Sequence, residues 1–165
     1  MLTTVGALVI ILGLMVSLAR WVRNASAVDL TKTLLRRLDR LMVEYQAHHH
    51  QLPNVAPFIS PDSPDPDETT LQRAAIENNR QVLAVLRQEA GASPQAFNGL
   101  PYAVYDVSTM RDAWGTPIVF MPAMNPAIGM APQNRRFFFS AGPDRRFLTQ
   151  EDNLYSYEEN SGQPE

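Results

Sequence analysis

Apolar positions fall into three regimes along this chain. Residues 1–19 contain no charged side chain, and 5–19 (VGALVIILGLMVSLA) is apolar on every face apart from Ser17 and two glycines. From 34 to 45 the apolar residues Leu34, Leu35, Leu38, Leu41, Met42 and Tyr45 recur at 3- and 4-residue spacings, which is the stripe of an amphipathic helix. Arg36, Arg37, Asp39, Arg40 and Glu44 take the other faces. Beyond 91 the pattern changes again, to short apolar runs between turn residues.

The first two regimes are joined by 24–27, which holds neither Gly nor Pro, so the pattern predicts one helix of roughly 45 residues. Pro53 disfavours helix at Leu52 and sets the end near 48–51. Nineteen residues of helix rise about 28 Å, close to the roughly 30 Å hydrocarbon layer of a bilayer. Three readings of the apolar run are open: a membrane-spanning anchor, a cleaved secretory signal ending at Ala25-Ser26-Ala27, or a buried core helix. No Lys or Arg precedes the run, and Arg20, Trp21 and Arg23 separate it from the cleavage pattern. A core helix seldom stays apolar on all faces for so long. The anchor accounts for these features best.

A second helix is expected over 65–90, with Asp65 as N-cap, Pro66 in the first position, Glu68 completing a capping box and Gly91 as C-cap. Leu71, Ala75, Val82, Leu83, Leu86 and Ala90 would form its buried face, and Gln72, Arg73, Glu77, Arg80, Arg87 and Glu89 a wet surface. Strands are expected over 102–107, 116–121, 136–140 and 153–157, with an exposed connection over 122–134. So closely connected, they form an antiparallel sheet with the helices on one face, an α+β fold. The chain divides into an anchor (1–20), an amphipathic half-helix (21–52), a globular head (53–160) and a frayed tail (161–165).

Composition narrows the chemistry. With 165 residues there is room for one domain and an appendage, and with no cysteine there are no disulfides, thiolate sites or cysteine nucleophiles. The net charge of −3 argues against a nucleic-acid partner. It also conceals a gradient: 20–45 carries six cationic residues against three acids, and 140–165 six acids against two arginines. The chain lacks nucleophile-elbow, phosphate-loop, dinucleotide and zinc-protease motifs, so an enzyme is not expected. Its histidines occur only at 48–50, and three consecutive helical residues diverge by about 100° each, which suits a solvated helix end better than a metal. The acids of 61–68 have no EF-hand pattern and read as helix capping.

One loop remains as candidate chemistry. Phe137-Phe-Phe-Ser-Ala-Gly-Pro-Asp144 leaves a strand at a glycine turn, and Glu151-Asp152-Asn153 precedes the next strand. Asp144, Glu151 and Asp152 can therefore meet, and such a set suits a hard cation such as Ca²⁺. In the alternative, Asp144 caps a turn and the later acids pair with Arg145 and Arg146.

The order of an apolar helix, its amphipathic continuation, Asp112-Ala-Trp-Gly-Thr-Pro117, Phe139-Ser-Ala-Gly-Pro-Asp144 and Asp152-Asn-Leu-Tyr-Ser156 resembles the major pseudopilin of type II secretion systems. Tyr45 followed by Pro53 is similar to that family's end of the long helix. The resemblance implies a pilin-like fold and a non-enzymatic subunit of a type II secretion or type IV pilus-like apparatus. Such a subunit sits in the bacterial inner membrane with a periplasmic head, and stacks with other pseudopilins into a short filament that helps export folded proteins. It also implies calcium, with Asp144 and Asp152 as the best side-chain ligands and Glu151 next. Two features depart from the family: Val5 stands where a mature subunit carries Glu, and Arg20 and Arg23 follow the span, which favours a cytoplasmic head. A start further upstream or a divergent member would account for the first. The alternative is a single-span anchored binding module with the same head that does not polymerise; a signal-anchored hydrolase is a distant third.

Overall fold

The computed structural model describes residues 2–59, 66–89 and 108–158, except for the side chains of 2–14, 16, 18–21 and 89. The anticipated strand at 102–107, the Asp65 cap, the Gly91 C-cap and the tail at 161–165 lie outside these residues. Helix α1 spans Leu2–His49 without a break, 48 residues in all. It stops where His50 turns left-handed (φ 57°) and donates its N–H to the Gln46 carbonyl at 2.9 Å. Helix α2 spans Glu68–Glu89. Strands β1 (Val119–Met121), β2 (Phe137–Ser140) and β3 (Leu154–Tyr155) form an antiparallel sheet in the order β1-β2-β3. The fold is α+β.

The cap of α2 differs from the expected one. Asp67 accepts the Thr70 N–H at 2.6 Å, and its carbonyl accepts the Leu71 N–H at 3.0 Å. Pro66 therefore precedes the cap instead of opening the helix. A carboxylate held by two Thr70 hydrogen bonds titrates below the ordinary value of 3.8, as Asp67 does.

The anticipated stripe of α1 is the face that packs: Leu34, Leu35, Leu38 and Met42 are buried and Leu41 and Tyr45 half-buried. With Val82, Leu83 and Leu86 of α2 they cover one face of the sheet, where Phe120 and Phe138 project. Alternation sends Val119, Met121, Phe137, Phe139 and Tyr155 to the opposite face. That face is also buried, under Phe58, Phe147, Ile128 and Ala131. A sheet covered on both sides explains why its strands read as unbroken apolar runs. The 122–134 connection is thus not simply exposed. It folds back at an Asn125–Gly129 bridge and buries Ile128, Gly129 and Ala131. A Cβ on Gly129 would sit 2.6 Å from the Tyr155 ring, so only glycine admits this packing.

Among the described residues β1 pairs only with β2, which leaves its other edge unpaired within the sheet there. α2 crosses that edge. Leu71 and Ala75 reach one core cluster, Val82, Leu83 and Leu86 the other, and two buried asparagines lie between them. Asn78 accepts the Phe120 N–H at 2.8 Å and donates to the Phe120 carbonyl at 3.1 Å and to that of Ala56 at 2.9 Å. Asn79 accepts the Met110 N–H at 2.9 Å and donates to the carbonyls of Met110 and Ile118 at 2.9 and 2.6 Å. Each amide thus replaces a neighbouring strand's backbone and blunts the edge. Asn78→Ala or Asn79→Ala should lower unfolding free energy in urea by about 3 kcal/mol, through orphaned buried groups, while Arg80→Ala one residue on stays within about 0.5.

Candidate functional site

Asp112 is fully buried, and its carboxylate organises the turn that leads into β1. Oδ1 accepts the N–H groups of Trp114 (3.0 Å) and Thr116 (2.8 Å), while Gly115 at φ 89° lets the chain reverse. Oδ2 accepts the Ser140 hydroxyl at 2.7 Å, and Ser140 Oγ in turn accepts the Gly142 N–H at 3.0 Å. The neighbouring Ala113 N–H donates to Thr31 Oγ1 on α1 at 3.2 Å. One carboxylate therefore ties the Asp112–Pro117 turn to the end of β2, and the turn in its charge is tied to the long helix.

The relay continues into the acidic loop. Gly142 (φ 68°) lies so close to the Asp152 carbonyl that a Cβ would fall 1.9 Å from it. The loop's two ends are therefore in contact, as the strand arrangement anticipates. Phe147 is buried beneath the loop and its carbonyl accepts from Asn153 Nδ2 at 3.0 Å. Asn153 Oδ1 is buried with no hydrogen-bond partner.

The candidate ligands occupy different settings. Asp144 is exposed and its Oδ1 accepts the Arg146 N–H at 2.9 Å, the turn cap foreseen in the alternative reading. Glu151 is exposed and Asp152 half-buried. Among the described residues no group of three His, Cys, Asp or Glu side chains converges as a metal set. The anticipated pairing of Glu151 or Asp152 with Arg145 or Arg146 is likewise not among the ion pairs there, which join Lys32 to Glu158 and Arg135 to Asp39. His48, His49 and His50 are exposed at the end of α1, where His49 stacks on Tyr45 with ring centroids 4.4 Å apart.

Sequence reasoning passes over Asn78 and Asn79, although two consecutive asparagines inside a helix are a signal, being poor helix formers that persist where a side-chain amide is needed. Comparison with family models, curated proteins and solved structures returns no match.

Burial pushes the Asp112 carboxyl above its ordinary value of 3.8, and hydrogen bonds from Ser140, Thr116, Trp114 and Gly115 offset only part of that. With the folded pKa above the unfolded one, the folded chain binds more protons between the two values. Stability from this group therefore rises as pH falls through the folded pKa and levels off below 3.8. Asp112→Asn keeps an oxygen for the two amides but leaves the Ser140 hydroxyl without its acceptor, at a cost of about 1–3 kcal/mol. The unfolding free-energy difference between wild type and Asp112→Asn should grow in favour of wild type as pH is lowered from neutral; a difference that shrinks contradicts the assignment.

Proposed function

We propose that the chain is a non-enzymatic filament subunit of a type II secretion or type IV pilus-like apparatus. In this reading residues 5–19 lie in the inner membrane before assembly and in the filament core after it, and the head faces the periplasm. The observation that carries the reading is the division of α1. From Thr31 to Met42 it buries a stripe against the sheet, whereas Met15, Ser17 and every residue from Val22 to Ser26 are exposed, so these positions of the same continuous helix stand outside the core. The apolar run 5–19 in the sequence of that helix needs a place away from water, and lipid and neighbouring copies of the same helix are the two solvents that suit it. Among the described residues no helix is long and apolar enough to cross a membrane; the 5–19 run falls on positions whose side chains, apart from Met15 and Ser17, lie outside them. The span is therefore supported by the residue pattern of 1–19. The positions of Arg20 and Arg23 weigh toward a cytoplasmic head.

The chain has no cysteine, so single cysteines can be introduced along 5–19 without background. Oxidative cross-linking in membranes should give a ladder of oligomers, periodic along the helix. Dimers or monomers alone would favour a membrane-anchored binding module that does not polymerise.

Calcium belongs to the same reading. The Asp144 and Asp152 carboxylates, with Glu151, would supply hard oxygen donors to an ion that pins the loop. Asp144 is turned to the Arg146 amide and would have to leave it to bind. Calorimetric titration with Ca²⁺ should show saturable binding that Asp144→Ala abolishes; a titration that Asp144→Ala leaves unchanged removes the ion from the scheme.

A further inference from the structure

A cleft of about 220 Å³ opens where α1 leaves the head, lined by Arg23, Asn24 and Ala27 of the helix, Ala113 and Trp114 of the Asp112 turn, and Arg145 of the loop after β2. Among the described residues its lining contains two guanidinium groups and no carboxylate. Neither arginine takes part in an ion pair or a side-chain hydrogen bond among the described residues, and Arg23 and Arg145 are both exposed. Like charges gathered in one cleft without a counter-charge repel one another and favour an anion between them. The walls are held in place. The Trp114 N–H is bound by Asp112, the Ala113 N–H by Thr31 of α1, and Arg145 adopts a left-handed backbone (φ 62°), uncommon for a residue with a side chain, with its N–H on the Gly142 carbonyl at 3.2 Å.

Position selects the anion. Arg23 follows the apolar run by four residues, about 6 Å along the helix axis, which is headgroup depth when 5–19 lies in a bilayer. Half-buried Trp114 stands in the same cleft, as an interfacial aromatic does. Guanidinium groups bind phosphate through paired N–H donors. We propose that this cleft binds phosphate carried by an anionic phospholipid headgroup, holding the head at a fixed height and rotation on the membrane surface. The inference rests on the membrane reading of 5–19.

The test uses the full chain in nanodiscs of phosphatidylcholine alone or mixed with phosphatidylglycerol, with spin-labelled lipids reporting which species is motionally restricted beside the protein. Wild type should prefer phosphatidylglycerol, and the double variant Arg23→Gln/Arg145→Gln should lose that preference on the order of tenfold, given the attraction of each basic side chain to an anionic surface. Arg40→Gln/Arg80→Gln removes the same charge from exposed positions elsewhere and should retain the preference; circular dichroism checks that both variants fold. Equal preference in wild type and the Arg23/Arg145 variant, with normal incorporation, overturns the cleft while leaving the span intact. Failure to incorporate overturns the membrane reading and the cleft's lipid with it. Inorganic phosphate titrated into phosphatidylcholine discs separates the sources: saturable binding that requires both arginines, without preference for phosphatidylglycerol, assigns the cleft to free phosphate and overturns the lipid.

Discussion

The head depends on one buried carboxylate. Asp112 gathers Trp114, Thr116 and Ser140, and through them the entry to β1, the exit of β2 and the start of the acidic loop. Removing such a group from water is costly, and it is tolerated because both oxygens are hydrogen-bonded by groups that would otherwise be orphans themselves. The turn it shapes touches α1 through Thr31, so the geometry of the loops is referenced to the long helix.

A second constraint is the edge of a small sheet. Three short strands make a weak platform on their own, with the outer edges of β1 and β3 both left without a strand partner among the described residues. Packing on both faces supplies the burial, and the Asn78–Asn79 pair supplies hydrogen-bond partners along the β1 edge. α2 is therefore more than a cover over one face: it wraps the flank, joining the two clusters where the asparagines sit. The backbone left unpaired by the sheet's short length is satisfied by side-chain amides, which are polar yet fully enclosed.

The proposed roles divide along α1. Its first half, with the apolar run 5–19, would serve assembly and membrane residence, its second half packs on the head, and the cleft at Arg23 and Arg145 lies between them. A headgroup clamp at that point complements a filament function, because a subunit awaiting assembly gains from a fixed orientation in the bilayer, and loses the clamp on leaving it. The acidic loop contributes Arg145 to that cleft, and its two ends meet where Gly142 lies against the Asp152 carbonyl.

Local pattern alone determined much of the architecture. The uninterrupted helix to His49, the stripe Leu34 to Tyr45, the buried face of α2 and the placement of β1, β2 and β3 all follow from periodicity and from Pro and Gly positions, because these reflect the chain's own geometry and its need to bury apolar area. The joining of the acidic loop's ends was also foreseeable, from antiparallel strands meeting at that edge. Tertiary structure decided the rest. Ile128 and Ala131 went beneath Tyr155 instead of into solvent, and Asn78 and Asn79 became an edge strand's partners. Each of these turns on a neighbour distant in sequence: an Asn beside a strand edge 42 residues away, or an Arg23 facing a loop at Arg145, carries no local signature. Periodicity reports which face of an element is buried; only the folded chain reports what that face, or the polar residue at its margin, meets.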